Sequence, residues 1–276
     1  MLSAAVSDRE LLLRLEPDPD WLVSSGWAEL VRVGPFDAWF GPGADVASPR
    51  PPSGARRDDD PLARYGDAAV LEAVAELRRL FAARGLTLVV ELNEPLAPRL
   101  PSLLERAGLS LRAREPLMLC PAADFRPVAA PGASVRFLGP DDPDEELRAF
   151  LRLFHENFGQ GAGRDTPEAV ARLRDEVART GGRSAALARL DGQPGGTGFV
   201  ACYPGGACEI TRVTTSPWAR RRGVAATLTS FLIDSAFAAG SDLAWLTASG
   251  RPAQALYMTL GFRLVGDRLY YQPPAR

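Results

Sequence analysis

Thr214-Thr-Ser-Pro-Trp-Ala-Arg-Arg-Arg-Gly-Val-Ala-Ala-Thr-Leu228 is the stretch on which the reading of this chain turns. It follows a strand-like run, Ala207–Thr215, and opens a segment in which Val224, Leu228, Phe231, Leu232 and Ser235 share one helical face. A helix that starts this way leaves its first backbone N–H groups without carbonyl partners, at the positive end of the helix dipole. Three arginines, Arg220, Arg221 and Arg222, meet a glycine at that point. A diphosphate suits such a turn, because the N–H groups bind its oxygens while guanidinium groups screen the remaining charge. Gly223 lets backbone and ligand approach closely, and Ala225 and Ala226 keep the first turn slim. The plain alternative is an arginine-rich, solvated helix start with no ligand.

Upstream of this turn, Asp142–Asp165 carries helical apolar spacing at Leu147, Phe150, Leu151 and Phe154. Thr166-Pro-Glu supplies an N-cap and an N1 proline for a second helix to about Arg179, stopped by Gly181-Gly182. Ser184–Leu190, Gly196–Tyr203 and Ala207–Thr215 read as an antiparallel meander with Asp-Gly and Pro-Gly-Gly turns. Downstream, the helix ends at Gly240, and Leu243–Thr247 is a buried strand. Pro252–Leu260 is a short helix ending at Gly261, with two last strands near 262–265 and 269–271. The first half of the chain carries a fainter version of this order. Helix Asp67–Arg84, strand Leu86–Leu92, helix Leu96–Ala107 and strand Leu111–Leu119 follow one another. Gly66 and Gly108 stand 42 positions apart, against 38 for Gly223 and Gly261, which suggests a diverged internal duplication.

The length of 276 residues predicts two domains. The Pro- and Gly-rich stretch from residue 121 to 132 is the expected boundary, giving domains 1–125 and 133–276. The segment 42–61 reads as a long exposed loop. With 46% hydrophobic and 24% charged residues, the composition is that of a soluble globular protein. No apolar run is long enough to span a membrane, and the first ten residues reach acidic side chains too early for a signal peptide, so a cytoplasmic location is expected. A net charge of −2 and a pI near 5.7 argue against a nucleic-acid partner. Three cysteines without CxxC spacing suit neither a disulfide framework nor zinc, and one histidine, His155, makes a histidine metal cluster or a Ser-His-Asp triad improbable, so no metal is expected. His155 reads as a surface or packing residue. Apart from His155 all basic residues are arginine, and the chain has no lysine.

Arg220, Gly223 and Ala225, with Pro217 upstream and the Leu-Tyr-x-x-x-Gly-Phe ending at Phe262, resemble the pyrophosphate signature of the GNAT (GCN5-related N-acetyltransferase) superfamily. The resemblance covers about residues 133–276. It implies an α+β fold: a mixed, mostly antiparallel sheet flanked by helices, with a V-shaped splay between two parallel central strands, Ile210–Thr215 and Leu243–Thr247. With the duplication, a tandem GNAT-like arrangement is expected. Acetyl-CoA is the implied cosubstrate. Its diphosphate would meet Arg220, Arg221, Arg222, Gly223, Val224, Ala225 and Ala226. Its pantetheine arm would lie along Val213, Thr214 and Thr215, with the Val213 N–H polarising the thioester carbonyl.

Tyr257 matches the tyrosine that serves many members as general acid, although Ala253, Leu256, Tyr257 and Leu260 share a face and also suit a core role. Glu209 matches the general base of some members, against the reading of a solvated charge on a strand. Gly250 stands where many members carry an asparagine, leaving Ser249 or Arg251 to take over that contact. The expected activity is direct acetyl transfer, in a ternary complex, to a primary amine of a small molecule. The alternatives are a CoA-binding pseudoenzyme acting as a regulatory or scaffold module, and a purely structural tandem domain. The first half lacks a phosphate loop; Asp58-Asp-Asp60 would repel a diphosphate, so it is expected to bind no CoA. The sequence leaves open whether the chain is a monomer or a homodimer.

Overall fold

A computed structural model describes residues 7–15, 19–24, 26, 28–41, 45–50, 62–157, 165–179 and 183–274. The described residues fall into two compact units. The first runs to Leu117 and also holds Thr247–Gly250 and the residues from Leu264 on; the second holds Met118–Leu246 and Arg251–Arg263.

In the first unit, α1 (Asp8–Leu12) and α2 (Pro19–Ser24) precede β1 (Glu29–Val33), β2 (Phe36–Phe40) and β3 (Val46–Pro49). Then come α3 (Asp67–Ala83), β4 (Val90–Asn93), α4 (Leu100–Arg106) and β5 (Ser110–Pro121), within which the division between units falls. Ser7 caps α1 with a reciprocal bond to Glu10, satisfying two N–H groups at once. Along α3, Val70, Ala73, Val74, Leu77 and Phe81 recur at helical spacing and are all buried. β1, β2 and β3 pair antiparallel in sequence, and β3 then joins β4 in parallel across the α3 crossover. Asp37, almost wholly buried, is held by Arg50 at 2.7 Å, so its charge is compensated inside the fold.

The second unit contains β6 (Ala133–Phe137), α5 (Asp144–Asn157), α6 (Pro167–Ala178), β7 (Arg183–Leu190), β8 (Gln193–Cys202) and β9 (Ala207–Thr215). α7 (Val224–Ala238), β10 (Leu243–Thr247) and α8 (Arg251–Thr259) follow. β6 to β9 form the antiparallel meander, and β9 joins β10 in parallel across α7. Side chains alternate across β8, so Gly196 and Gly198 face Leu228 and Leu232 of α7 while Phe199 meets Phe150 of α5 edge-on at 5.2 Å. The missing Cβ atoms let α7 lie close on the sheet: a Cβ at Gly196 would stand 3.1 Å from Val224 Cγ1, and one at Gly198 3.1 Å from Leu232 Cδ1.

The last strand, β11 (Arg263–Gln272), pairs antiparallel with β4 of the first unit, Leu269 opposite Leu92. Its Leu269 and Tyr271 are part of that unit's core with Phe36, Phe81 and Leu104. The order β-β-β-α-β-α-β thus occurs twice, of which the sequence suggests only the α-β-α-β part, and the end of the chain completes the first unit. The expected contiguous domain 133–276 differs from this division for that reason. The expected pair of terminal strands is one strand. The segment 121–132 is not a free linker: Arg126 N–H donates to Leu260, Val128 N–H to Ser230 Oγ and Ala130 N–H to Thr227 Oγ1. Within the expected loop 42–61, Val46–Pro49 is strand β3; 42–44 and 51–61 lie outside the described residues.

One turn is set by backbone alone. Gly261 has φ +99°, and a Cβ there would stand 2.0 Å from the carbonyl oxygen of Asp124. That oxygen belongs to the main chain and has no rotamer to escape into. Gly261→Ala is expected to lower unfolding free energy by about 3 kcal/mol or more in urea denaturation. A loss under about 1 kcal/mol would show that the Asp124 turn yields freely.

Candidate functional site

The β9–β10 ladder is short. Ala207, Cys208 and Glu209 pair with Leu243, Ala244 and Trp245, and no rung follows. β9 runs on to Thr215, so from Ile210 it keeps, among the described residues, a strand partner only on its β8 side. At about 3.3 Å per residue, roughly 20 Å of extended backbone carries one open edge. This is the splay that the GNAT resemblance implies.

β9 also bulges within this stretch. Thr197 pairs with Thr214 and Phe199 with Thr211, so Arg212 and Val213 together face one residue of β8. Arg212 takes the strain at φ +54°, a left-handed conformation costly for any residue that carries a Cβ. The bulge lifts the Val213 peptide out of the regular ladder. Arg212 lays its guanidinium near the rings of Phe154, at 5.6 Å, and Phe199, at 5.9 Å. Phe154 in turn meets the imidazole of His155 edge-on at 5.3 Å, which gives His155 a packing role at the end of α5.

Beyond Thr215, a 3-10 turn (Pro217–Ala219) leads into the arginines. Arg221 at φ +62° and Gly223 at φ +79° reverse the chain twice, and α7 starts with no side-chain cap. Its first four N–H groups therefore face outward from the helix end. Arg220 donates from Nε to the Thr215 carbonyl at 3.2 Å, which folds it back along the loop. Arg222 pairs with Asp191 at 2.8 Å; both side chains are largely exposed, so the pair is weak and exchangeable. Ala225 and Ala226 are half-buried, whereas Val224 is buried in the core. Gly223 has a further reason to be glycine: a Cβ there would stand 2.6 Å from the Cβ of Ala130.

Glu209 occupies the last rung before the strands part, opposite Trp245, and accepts a hydrogen bond from the Tyr203 hydroxyl at 3.1 Å. Tyr257 is buried on α8, 5.8 Å from the Phe262 ring. Burial alone pushes its phenol up to about 12, with no hydrogen bond contributing. Gly250, at φ +138°, immediately precedes α8, which Arg251 opens. Among the described residues no group of His, Cys, Asp and Glu is placed to hold a metal ion. The bulge and Arg212 carry no sequence signal, because a positive φ at an arginine is imposed by the sheet. The glycines opposite, Gly196 and Gly198, mark only the close approach of α7.

Residues 145–262 match the model of the acetyltransferase (GNAT) family. This segment is a GNAT domain. No curated protein matches it in sequence. Among solved structures, a GCN5-related N-acetyltransferase from Kribbella flavida aligns over 99% of this chain and 98% of its own, with a TM-score of 0.75 and 22% identity. A tandem GNAT protein from the clavulanic acid biosynthesis pathway aligns over 87% of this chain and 79% of its own, with a TM-score of 0.59 and 17% identity. A GCN5-related N-acetyltransferase from Sphaerobacter thermophilus covers 90% and 77%, at 0.55 and 15%. The fold of the chain is that of GNAT proteins, and the tandem arrangement agrees with the second of these. No helix among the described residues is long and apolar enough to cross a membrane.

Proposed function

We propose that the chain transfers an acetyl group from acetyl-CoA to a primary amine of a small molecule, directly and within a ternary complex. The observation that carries this reading is the continuity of an open β9 edge with an uncapped helix start flanked by three arginines. The helix start and Arg220 to Arg222 fit a diphosphate, and the open edge at Val213, Thr214 and Thr215 fits the amides of a pantetheine arm. In this reading the Val213 N–H meets the developing oxyanion, where a preorganised donor has its largest effect. Tyr257, neutral at physiological pH, supplies a proton to the departing thiolate. Glu209 draws the amine proton, directly or through a water, from the apex of the splay.

The first unit is proposed to bind no CoA. Its corresponding helix, α3, starts with its own carboxylate, Asp67, already bridged by Arg99 at 3.1 Å and Arg106 at 2.6 Å. The aspartates 58–60 lie outside the described residues. One CoA per chain is therefore expected by calorimetric titration. Acetyl-CoA at about 100 times its Kd is expected to stabilise the protein by roughly 2.7 kcal/mol in a thermal melt. Thiol release over a panel of primary amines then separates an enzyme from a binding module. No thermal shift would overturn the cofactor site; a shift without turnover of any amine would overturn the proposed reaction in favour of a CoA-binding module.

A further inference from the structure

Cys202 closes β8, Cys208 stands one residue into β9, and the two are cross-strand neighbours. The adjacent pair, Tyr203 and Ala207, is joined by an N–H···O bond of 3.0 Å. Antiparallel ladders alternate between hydrogen-bonded and non-hydrogen-bonded pairs, so Cys202 and Cys208 form a pair of the second kind. In such pairs the Cα atoms lie about 4.5 Å apart and both side chains leave the same face. That separation is within the range a disulfide bridges, roughly 4.4–6.8 Å.

The two thiols are unequal. Cys208 is fully buried, whereas Cys202 is partly exposed. A hydrogen bond from Cys208 pulls the Cys202 thiol below its ordinary range, against the effect of burial, and Ser241 adds to it. The same bond, with burial, pushes Cys208 up. Cys120 is the contrasting case: it is buried, lies against the carbonyl of Leu260 at 3.8 Å, and burial pushes its thiol up to about 12.

We propose that Cys202 and Cys208 are a redox pair which a hydroperoxide converts into a disulfide across the β8–β9 hairpin. The Cys202 thiolate attacks the distal oxygen of the hydroperoxide, breaking the O–O bond and giving a sulfenic acid and an alcohol, or water from hydrogen peroxide. Cys208 then attacks the Cys202 sulfur; the S–S bond forms, the S–O bond breaks, and water leaves with the thiol proton. Two thiols are oxidised and one peroxide is reduced. The exposed, more ionised partner reacts first and the buried one resolves it. The loop so closed contains Tyr203, whose hydroxyl holds Glu209, so the bond staples the hairpin beside that carboxylate.

The test is to treat the reduced full-length protein with a small excess of hydrogen peroxide and count thiols after unfolding. The three thiols are expected to fall to one, that of Cys120. A single tryptic peptide, Leu190–Arg212, holds both other cysteines and is expected to lose two hydrogen masses and resist alkylation. In Cys208→Ala, Cys202 is expected to stop at the sulfenic acid and take a dimedone label. Three surviving thiols, a bridge to Cys120, or disulfides only between molecules would overturn the proposal. The peptide map of the unaltered protein decides this even if the variant fails to fold, and acetyl-CoA binding by the reduced protein is scored separately.

Discussion

Tyr257→Phe is expected to lower kcat by about 10²- to 10⁴-fold while leaving acetyl-CoA binding within a few-fold of its original value. The expectation follows from what surrounds the hydroxyl. Burial pushes the phenol up to about 12, so it holds its proton across the pH range in which an amine becomes nucleophilic. Burial rather than a hydrogen bond sets that shift, so removing the oxygen leaves the ring against Phe262. Stability is therefore expected to change by less than about 1 kcal/mol. The pH profile carries a second check. The folded pKa is raised, so its contribution to stability is full below the unfolded value of about 10 and is lost as pH rises from there towards 12. Activity in the original enzyme should rise as the acceptor amine deprotonates, with no tyrosine-linked loss below about pH 10. A Phe variant that keeps kcat within threefold, measured by thiol release, would make Tyr257 a core residue and pass the proton to water.

The second half of the chain was legible because its local signals agree with one another. Thr166 does cap α6, Leu243–Thr247 is β10 to the residue, and α7 ends at Ala238, two residues before the expected stop at Gly240. Strong periodicity and a cap or glycine at each boundary leave little for tertiary context to alter. The first half carries weaker local signals. β1 and β2 have no strand signal in the sequence reading, and β3 lies in a stretch whose Pro and Gly content argues for loop. Its Pro49 is tolerated because it ends the strand. Which strand completes which unit is a non-local fact. Leu269 and Tyr271 look like any strand-face pair, and only their packing against Phe36, Phe81 and Leu104 assigns β11 to the first unit. At the candidate site, the arginines stand in the sequence itself, and the splay follows only from the GNAT resemblance. The bulge does neither, because its strain at Arg212 is imposed by the pairing of β8 with β9.

Ala225→Asp is expected to abolish the acetyl-CoA-dependent thermal shift while leaving the unliganded protein as stable as before. Gly223 is the less informative position to alter: any side chain there meets the Ala130 Cβ and a positive φ, so lost binding would be confounded with lost folding. Ala225 is the second residue of α7 and is half-buried. An aspartate in a first helical turn interacts favourably with the helix dipole, by about 0.3–1 kcal/mol, so the helix itself gains or holds steady. The same carboxylate occupies the ground proposed for a diphosphate and repels it through a short distance. Folding and binding are thus pushed in opposite directions by one substitution. Arg220→Ala is the complementary change, removing an attractive charge rather than adding a repulsive one, and is expected to weaken binding by about tenfold or more. If Ala225→Asp keeps the full shift of roughly 2.7 kcal/mol at the same ligand concentration, the diphosphate does not sit on the α7 start. The arginines would then be a solvated helix entry, and the CoA site would have to be sought elsewhere in the GNAT domain.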